Sequence, residues 1–477
     1  MTSRQRWTLA AVCVSTALLL VNVAAPNVAL EDIAEDLDAS FTGLQWILNG
    51  YTLTLAGLIL LGGALGDRFG RRRVFMLGAA GFTLASLGCA IAPTVGTLIA
   101  ARVVQGVAAA MLTPGSLAIL QASFDPRDRG RAIGAWSGLG GVATAIGPFL
   151  GGWLVDAASW RWIFLINVPV GIAVITVASR HVPESRDPDA TGRVDWLGAA
   201  LGALGLAGLT LGLSEQRWPA AVIGAVVLVA FVVTEWRTRH PLVPLAIFRS
   251  RTFSGTNVVT LLLYGALGVV FFLLGLVLQG PLGYTPLQAG AATMPVTLAM
   301  LGLSARAGAL AQRIGPRIPM TVGPLLVATS MIMLTGISAD STYVTGILPG
   351  IVVFGLGLSL TVAPLTATAL GAVDDHHAGI ASGVNNAVAR TGQVLAVAAI
   401  PVIAGFAPGA AVAGTELLDG FDRVMRFAAV TVVGAAVVSW VTVRRPLEAS
   451  EPVSSTTWHC AAGGPPAVVE DAPSVVG

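Results

Sequence analysis

Apolar runs long enough to cross a bilayer fill most of this chain, and they restrict its fold more than any other feature. A helix rises 1.5 Å per residue, so about 20 apolar residues span the hydrocarbon. Fourteen such segments can be drawn, at 8–30, 44–65, 74–92, 95–120, 132–155, 162–179, 195–213, 219–236, 253–278, 289–309, 318–337, 343–368, 378–406 and 424–443. Charged residues make up only 11% of the 477, and mean hydropathy is +0.80. A soluble domain carries about 25% charge. The expected solvent is lipid, and the expected fold class is an all-α membrane protein.

Arginine orients the stack. The chain has no lysine; all 27 basic residues are arginine. With the N-terminus placed in the cytoplasm and the segments alternating, 21 arginines fall inside, among them Arg4, Arg6, Arg68, Arg71, Arg72, Arg73, Arg313 and Arg317. Only Arg161, Arg217, Arg423 and Arg426 fall outside, while Arg102 and Arg390 lie within segments. So uneven a split fits the positive-inside rule with both termini cytoplasmic. The first outer loop carries Glu31, Asp32, Glu35, Asp36 and Asp38. Arg4 and Arg6 mimic a signal peptide, but the run after them is too long and further spans follow, so an uncleaved first helix is expected. Cys13, Cys89 and Cys460 are scattered, which suggests neither a disulfide frame nor a metal site.

A glycine-rich, charged turn follows the second segment: Gly62-Gly63-Ala64-Leu65-Gly66-Asp67-Arg68-Phe69-Gly70-Arg71-Arg72-Arg73. After the tenth segment Gly63, Leu65, Arg68, Gly70 and Arg72 recur in register as Gly308, Leu310, Arg313, Gly315 and Arg317. A turn repeated at that distance implies two related halves around a central site that opens to each side in turn. The expected domains are a six-helix bundle at 1–180, two inserted helices with their loops at 181–252, a second six-helix bundle at 253–445, and a disordered cytoplasmic tail at 446–477, rich in Pro, Ser and Ala.

These motifs resemble the fourteen-span drug:proton antiporters of the major facilitator superfamily, from about residue 8 to 445. The resemblance implies the major facilitator fold, two pseudo-symmetric six-helix bundles plus two inserted helices, in a bacterial plasma membrane. It gives Gly63, Asp67, Arg68, Gly70, Arg71 and Arg72 the role of a conformational latch: Asp67 caps a helix across the interface and the arginines bind nearby acids. A charge at a helix N-terminus is worth up to about 2 kcal/mol, enough to bias two states. Only the first copy carries the acid, since Gln312 stands in the second. Arg102, Gln105 and Gly106 match the family's Arg-x-x-Gln-Gly, which is linked to proton transfer. An arginine that deep should face the bundle interior. Gly147-Pro148-Phe149-Leu150-Gly151-Gly152 matches the antiporter motif, in which the proline kinks the helix and the glycines admit a helix of the other half, sealing the inward route when the carrier faces out. Trp160-Arg161-Trp162-Ile163-Phe164, Asp195-Trp196-Leu197-Gly198, Pro241-Leu242-Val243-Pro244 and Gly379…Ser382-Gly383-Val384-Asn385-Asn386…Arg390-Thr391-Gly392 match further family positions.

One departure matters. Asn22 stands where the family usually has an acid in helix one, and no Asp or Glu lies in the deep part of any segment. Two explanations are open: Glu31 or Asp32 at the outer end of helix one titrates near Arg102, or substrate charge or another ion drives the cycle. The expected pocket residues are Asn22, Asn27, Trp46, Asn49, Tyr51, Met111, Tyr264, Gln279, Met294, Asn385, Asn386 and Gln393, where amides orient a ligand that aromatic and Met surfaces embrace. Without a deep acid, a neutral or anionic cargo fits better than a strongly cationic one. His376 and His377, beside Asp374 and Asp375, read as a solvated loop or a pH sensor.

The function expected is export of a small amphipathic drug or antibiotic, in exchange for protons, by a chain that works as a monomer in the lipid bilayer. The alternative is an exporter or facilitator of a metabolite without proton coupling. No Gly-x-x-x-x-Gly-Lys occurs, so a nucleotide-driven pump is not expected. Neither an enzyme's catalytic cluster nor a nucleic-acid surface is read, and no cofactor or metal is expected beyond the proton gradient as energy source.

Overall fold

The computed structural model describes residues 1–186, 194–238, 241–374, 378–410 and 412–443. The expected tail at 446–477 and the loop residues Asp375, His376 and His377 lie outside the described residues. Every regular element among the described residues is helical. In the first half these are α1 (Ser3–Ala24), α2 (Leu30–Leu37), α3 (Phe41–Phe69), α4 (Arg71–Ala90), α5 (Val95–Ser123), α6 (Pro126–Ala157), α7 (Arg161–Leu165) and α8 (Asn167–His181). A hairpin of α9 (Trp196–Ser214) and α10 (Trp218–Arg237) follows. The second half holds α11 (Arg251–Gln279), α12 (Pro286–Ala292), α13 (Met294–Ile314), α14 (Arg317–Met333), α15 (Leu348–Gly371), α16 (Ala378–Ala398), α17 (Ile400–Ala404) and α18 (Gly414–Thr442).

Twelve of the described helical stretches are long and apolar enough to cross a membrane. Two more elements cover the remaining expected segments: α6 at 132–155 and α14, 17 residues long, at 318–337. Local chemistry sets the ends. Ser40, Thr94, Ser250 and Thr285 each accept a backbone N–H three residues on, closing α3, α5, α11 and α12 at their starts. Several expected single helices are broken instead. The chain tightens into a 3-10 turn at Ala25–Val28, where Pro26 removes a donor, and α2 begins afresh at Leu30. Thr293 separates α12 from α13 before Pro295, and Ala399 separates α16 from α17 before Pro401. Helix α18 starts ten residues before its expected limit of 424, because its first turns carry Glu416, Asp419 and Asp422 and stand outside the apolar run.

Large apolar side chains cover the outside. Leu84, Ile91, Val222, Val226, Val430 and Val441 are all more than 60% exposed, an arrangement that only lipid tolerates at this scale. Within the first half α3, α4 and α5 pack on one another, while α1 lies against α6 and α8; in the second, α14 and α15 pack together and α11 lies between α16 and α18. The halves meet along α3 with α16 and along α6 with α12 and α13. The inserted hairpin leans on α3 and α16. Gln45 of α3 donates Nε2 to the Val397 carbonyl of α16 at 2.5 Å, one polar tie across that seam.

Candidate functional site: a buried arginine network and a cavity between two bundles

Arg102 is 1% exposed. Its Nε donates to the Ile47 carbonyl at 3.0 Å and its Nη1 to Gln105 Oε1 at 2.7 Å. The guanidinium lies 4.4 Å above the Tyr51 ring and 5.6 Å from that of Phe164. Gln105 passes the network on, donating Nε2 to Ser86 Oγ at 2.7 Å and to Asn22 Oδ1 at 3.5 Å. Asn167 Nδ2 reaches the same two oxygens at 3.3 and 3.4 Å. Six helices, α1, α3, α4, α5, α7 and α8, thus share one neutral cage around a cation, as a buried charge requires. The interior position expected for Arg102 and Gln105 is the one found. Asn22 belongs to this network, and the Tyr51 hydroxyl lies beside its amide on the α3 side.

The cage holds no acid. Among the described residues Arg102 makes no ion pair. Glu31 and Asp32 sit on α2, with Glu31 beside Gly280 at the end of α11. Burial, with repulsion from Glu35 and Asp32, pushes the Glu31 carboxyl above its usual range. Burial also raises Asp32, with Glu35 and Asp156 adding to it and a backbone N–H opposing. Their charged neighbours are other acids, so the structure does not bring them to Arg102.

On the side where the copies of the turn lie, Gly70 adopts φ +113° and joins α3 to α4. Asp67 accepts from Arg71 Nε at 2.9 Å, a pair within its own turn rather than across the interface. The acid that the arginines bind is Glu184, just past α8. It accepts from the Arg72 backbone N–H at 3.1 Å and lies 3.7 Å from Arg73 Nε. Arg72 Nη2 donates to the Ser179 carbonyl at 2.7 Å. Glu184 also fills the space a Cβ at Gly70 would need, at 2.7 Å. Glu184 lies over a hundred residues away in sequence, which is why no local motif pointed to it.

At the opposite face α6 meets the other half. A Cβ on Gly147 would touch Ala24 at 3.0 Å, at the end of α1, and one on Gly151 would touch Ala25 at 2.8 Å, in the 3-10 turn that follows. Gly152 lies against the Pro286 carbonyl and Leu287 Cα of α12, and Gly290 against the Pro148 carbonyl. Asp156 then caps α12, accepting from Thr285 Oγ1 at 2.9 Å and from the Leu287 N–H at 3.3 Å. The glycine motif therefore packs α6 closely on α12 of the other half, on the face away from the arginines. Asp156, which completes the seal, carried no sequence signal.

Between the halves lies a cavity of about 50 Å3, lined by α1, α3, α5, α6 and α16. Of the expected pocket residues only Tyr51 and Asn386 line it; Thr16, Thr113, Ser116, Trp136 and Arg390 join them. Trp136 Nε1 donates to Thr16 Oγ1 at 2.7 Å and Arg390 Nη1 to Gln393 Oε1 at 3.0 Å. A drug-sized pocket needs roughly 300–1,000 Å3, so the halves must part before a ligand of that size enters. Several amides serve structure instead. Asn27 folds back on the Val23 and Ala24 carbonyls, Gln279 on that of Gly275, and Asn385 ties α16 to Asn257 and Thr260 of α11. Trp46 packs on the Leu53, Ala56, Leu206 and Val394 cluster, Tyr264 packs on the main core, and Asn49 is buried with its Nδ2 unpartnered. Met111 lies beside Gly62 and Gly78, and Met294 opens α13.

One buried acid escaped the sequence reading. Glu235, in the last turn of α10, is 2% exposed, and its Oε2 accepts the Val243 N–H at 2.9 Å. Its Oε1 and the Oδ2 of Asp195 are unpartnered and both crowd Gly198.

Comparison with known proteins gives this geometry a setting. Residues 11–397 match the sequence model described as Major Facilitator Superfamily. A puromycin resistance protein of Streptomyces alboniger is 34% identical over 95% of this chain and 94% of its own length. A tetracenomycin C resistance and export protein of Streptomyces glaucescens is 33% identical, covering 83% and 75%. A methylenomycin A resistance protein of Streptomyces coelicolor is 35% identical, covering 80% and 82%. Among solved structures, an auto-inhibited peptide transporter of the POT family superposes with a TM-score of 0.70 at 17% identity, over 94% of this chain and 99% of that one. A D-xylose–proton symporter gives 0.68 at 14%, over 93% and 99%. At such identities these two speak to the fold alone.

Proposed function

This chain belongs to the major facilitator superfamily, as an efflux transporter rather than an enzyme, and from that premise we propose that it expels a small amphipathic drug or antibiotic in exchange for protons. The observation that carries the reading is the Asp156–Thr285 cap with Gly152 set against α12. It is a small, breakable closure between two bundles, on the far side of a central cavity from the charged turn. Opening it while the Gly70 face closes gives alternating access. In this reading α6 and α14 join the twelve apolar stretches to make fourteen crossings, in halves at 1–180 and 253–445 with the hairpin between. Both termini are cytoplasmic, the membrane is the plasma membrane, and the monomer is the working unit.

The turn at Gly63–Arg72 acts as the latch, with Glu184 holding its arginines to α8 in the present state. A few charge-assisted bonds suffice, since a bias of a few kcal/mol moves most of a two-state population.

The neutral cage of Arg102 supports a second reading, an exporter or facilitator of a metabolite without proton coupling. Expression in a drug-sensitive host, followed by a compound panel, tests the first. Resistance to at least one compound, lost when the proton gradient is collapsed, is the expected result. Export that continues to equilibrium after collapse selects the second. No change in susceptibility or accumulation for any compound overturns both.

A further inference from the structure

Two guanidinium groups occupy the interior of this bundle without a carboxylate to balance them. Arg102 has its cage of a carbonyl, an amide oxygen and two rings. Arg390 is different. It projects from α16 onto the cavity between the halves, and its hydrogen bond to the Gln393 amide oxygen uses one of five donors. Tyr51 of the first half lines the same cavity. Among the described residues Arg390 makes no ion pair, and no Asp or Glu lines the cavity. The other lining groups are hydroxyls, one amide, Trp136, Tyr51 and aliphatic side chains. Arg390 is half-buried, and a cation with spare donors beside a largely apolar cavity binds an anion better than any neutral group. The Arg102 charge behind Tyr51 adds to the same positive potential, and low-dielectric walls focus it.

We propose that the transported molecule is an organic anion, a flat or amphipathic body bearing a carboxylate, sulfonate or phenolate that pairs with Arg390 in the central cavity. This deepens the efflux reading and rests on it. The planar guanidinium fork suits a two-oxygen acid, and Trp136 supplies a face for the apolar body. The proposal also accounts for Asn22. A cargo that carries its own negative charge moves outward down an inside-negative potential. For a monoanion, 100 mV is equivalent to about a 50-fold accumulation ratio. An ionisable group at position 22 is then unnecessary for uphill export.

A matched probe pair tests this with the purified full-length chain: 1-anilinonaphthalene-8-sulfonate, and N-phenyl-1-naphthylamine, which keeps the ring system without the charge. The wild-type protein is expected to bind the sulfonate at least about 10-fold more tightly, the value of one charge-assisted bond. Arg390→Gln should weaken the sulfonate by about 10- to 100-fold and leave the neutral probe unchanged, while Arg390→Lys retains most of the binding. In sealed vesicles a valinomycin-imposed potassium potential should speed export of the sulfonate and not of the neutral probe.

Equal wild-type affinity for the two probes, or tighter binding of ethidium, overturns the proposal without any variant having to fold. So does unchanged sulfonate binding by Arg390→Gln. Full competition by chloride, with gluconate as the inert control, also overturns it, by assigning Arg390 to an inorganic anion. Failure of the efflux reading is distinguishable: the binding contrast at Arg390 persists while no probe crosses the vesicle membrane.

Discussion

Arg102 lies 4.4 Å above the ring of Tyr51, and the two side chains are 1% and 0% exposed. The pair joins α5 to α3 and depends on the guanidinium's shape as well as its charge. Lysine at 102 keeps the charge but cannot reach the Ile47 carbonyl and Gln105 together while stacking. Arg102→Lys should therefore lower stability by about 1.5–3 kcal/mol and cut export by about 10-fold or more. Tyr51→Phe keeps the stack and removes only the hydroxyl beside Asn22, so it should cost less than about 1 kcal/mol. Thermal melting with dye efflux checks both, and an equal loss in the two variants would refute the stacking account.

Gly152 meets the α12 backbone with no room for a methyl group, whereas Gly138 on the same helix has nothing within 4 Å of an added Cβ. Gly152→Ala should loosen the seal at the Asp156–Thr285 cap, and Gly138→Ala should not. The measurement is maleimide labelling of a cysteine placed at Leu287, which lies beside Gly152 and leaves the Asp156–Thr285 bond in place. Faster labelling is expected in the first variant only.

The acids of the α2 region give stability a pH dependence whose sign follows from their neighbours. Glu31 and Asp32 are held above the ordinary carboxylate range, so their folded state favours the proton. Their destabilisation is fully present above those raised values and is relieved as pH falls through them. Asp36 is held low by its bonds from Arg161 and Trp160, so its contribution is lost only as pH falls through that lowered value. The melting temperature should rise modestly from pH 7 towards about 4 and fall below it. In the Glu31→Gln, Asp32→Asn double variant the rise should vanish and the fall remain. If proton exchange uses these acids, the same double variant abolishes export driven by a pH gradient.

Glu235 holds the loop after α10 through the Val243 N–H. Glu235→Ala leaves that buried donor unpaired, at a cost of about 1–3 kcal/mol. Glu235→Gln keeps the acceptor and can donate towards Asp195, whose Oδ2 is unpartnered, so it should cost less than about 1 kcal/mol. Denaturation of the purified protein in mild detergent orders the three chains. A glutamine variant as unstable as the alanine one would show that the charge, not the hydrogen bond, matters.

Much of the fold was legible because lipid imposes a long, repetitive signal. The helices stand where apolar runs stood, and Arg102 was correctly placed in the interior because a cation in the middle of such a run has few places to go. Helix breaks were less legible. Pro26 sat inside an apolar run that read as continuous, and the early start of α18 was hidden by Glu416, Asp419 and Asp422. The site was legible in part. Tyr51 and Asn386 reach the cavity, but Asn27, Gln279 and Asn385 spend their amides on backbone or neighbouring helices. An amide in a membrane helix reads the same from sequence whether it faces a ligand or a carbonyl. Arg390 was noted as part of a motif, and only its position on the cavity reveals what its charge faces.

The sequence by itself determined that this chain is a bundle of membrane helices with a repeated charged turn, and that helix one carries an amide in place of an acid. These follow from one-dimensional patterns: hydropathy over about 20 residues, arginine placement, and short motifs. Tertiary structure alone decided who meets whom. It paired Glu184 with the arginines of a turn over a hundred residues away, set Asp156 on the end of α12, surrounded Arg102 with neutral groups, and left Arg390 facing a cavity without an acid. Such partnerships depend on the azimuth of each helix and the half it packs against, and neither is encoded in the spacing along any one segment.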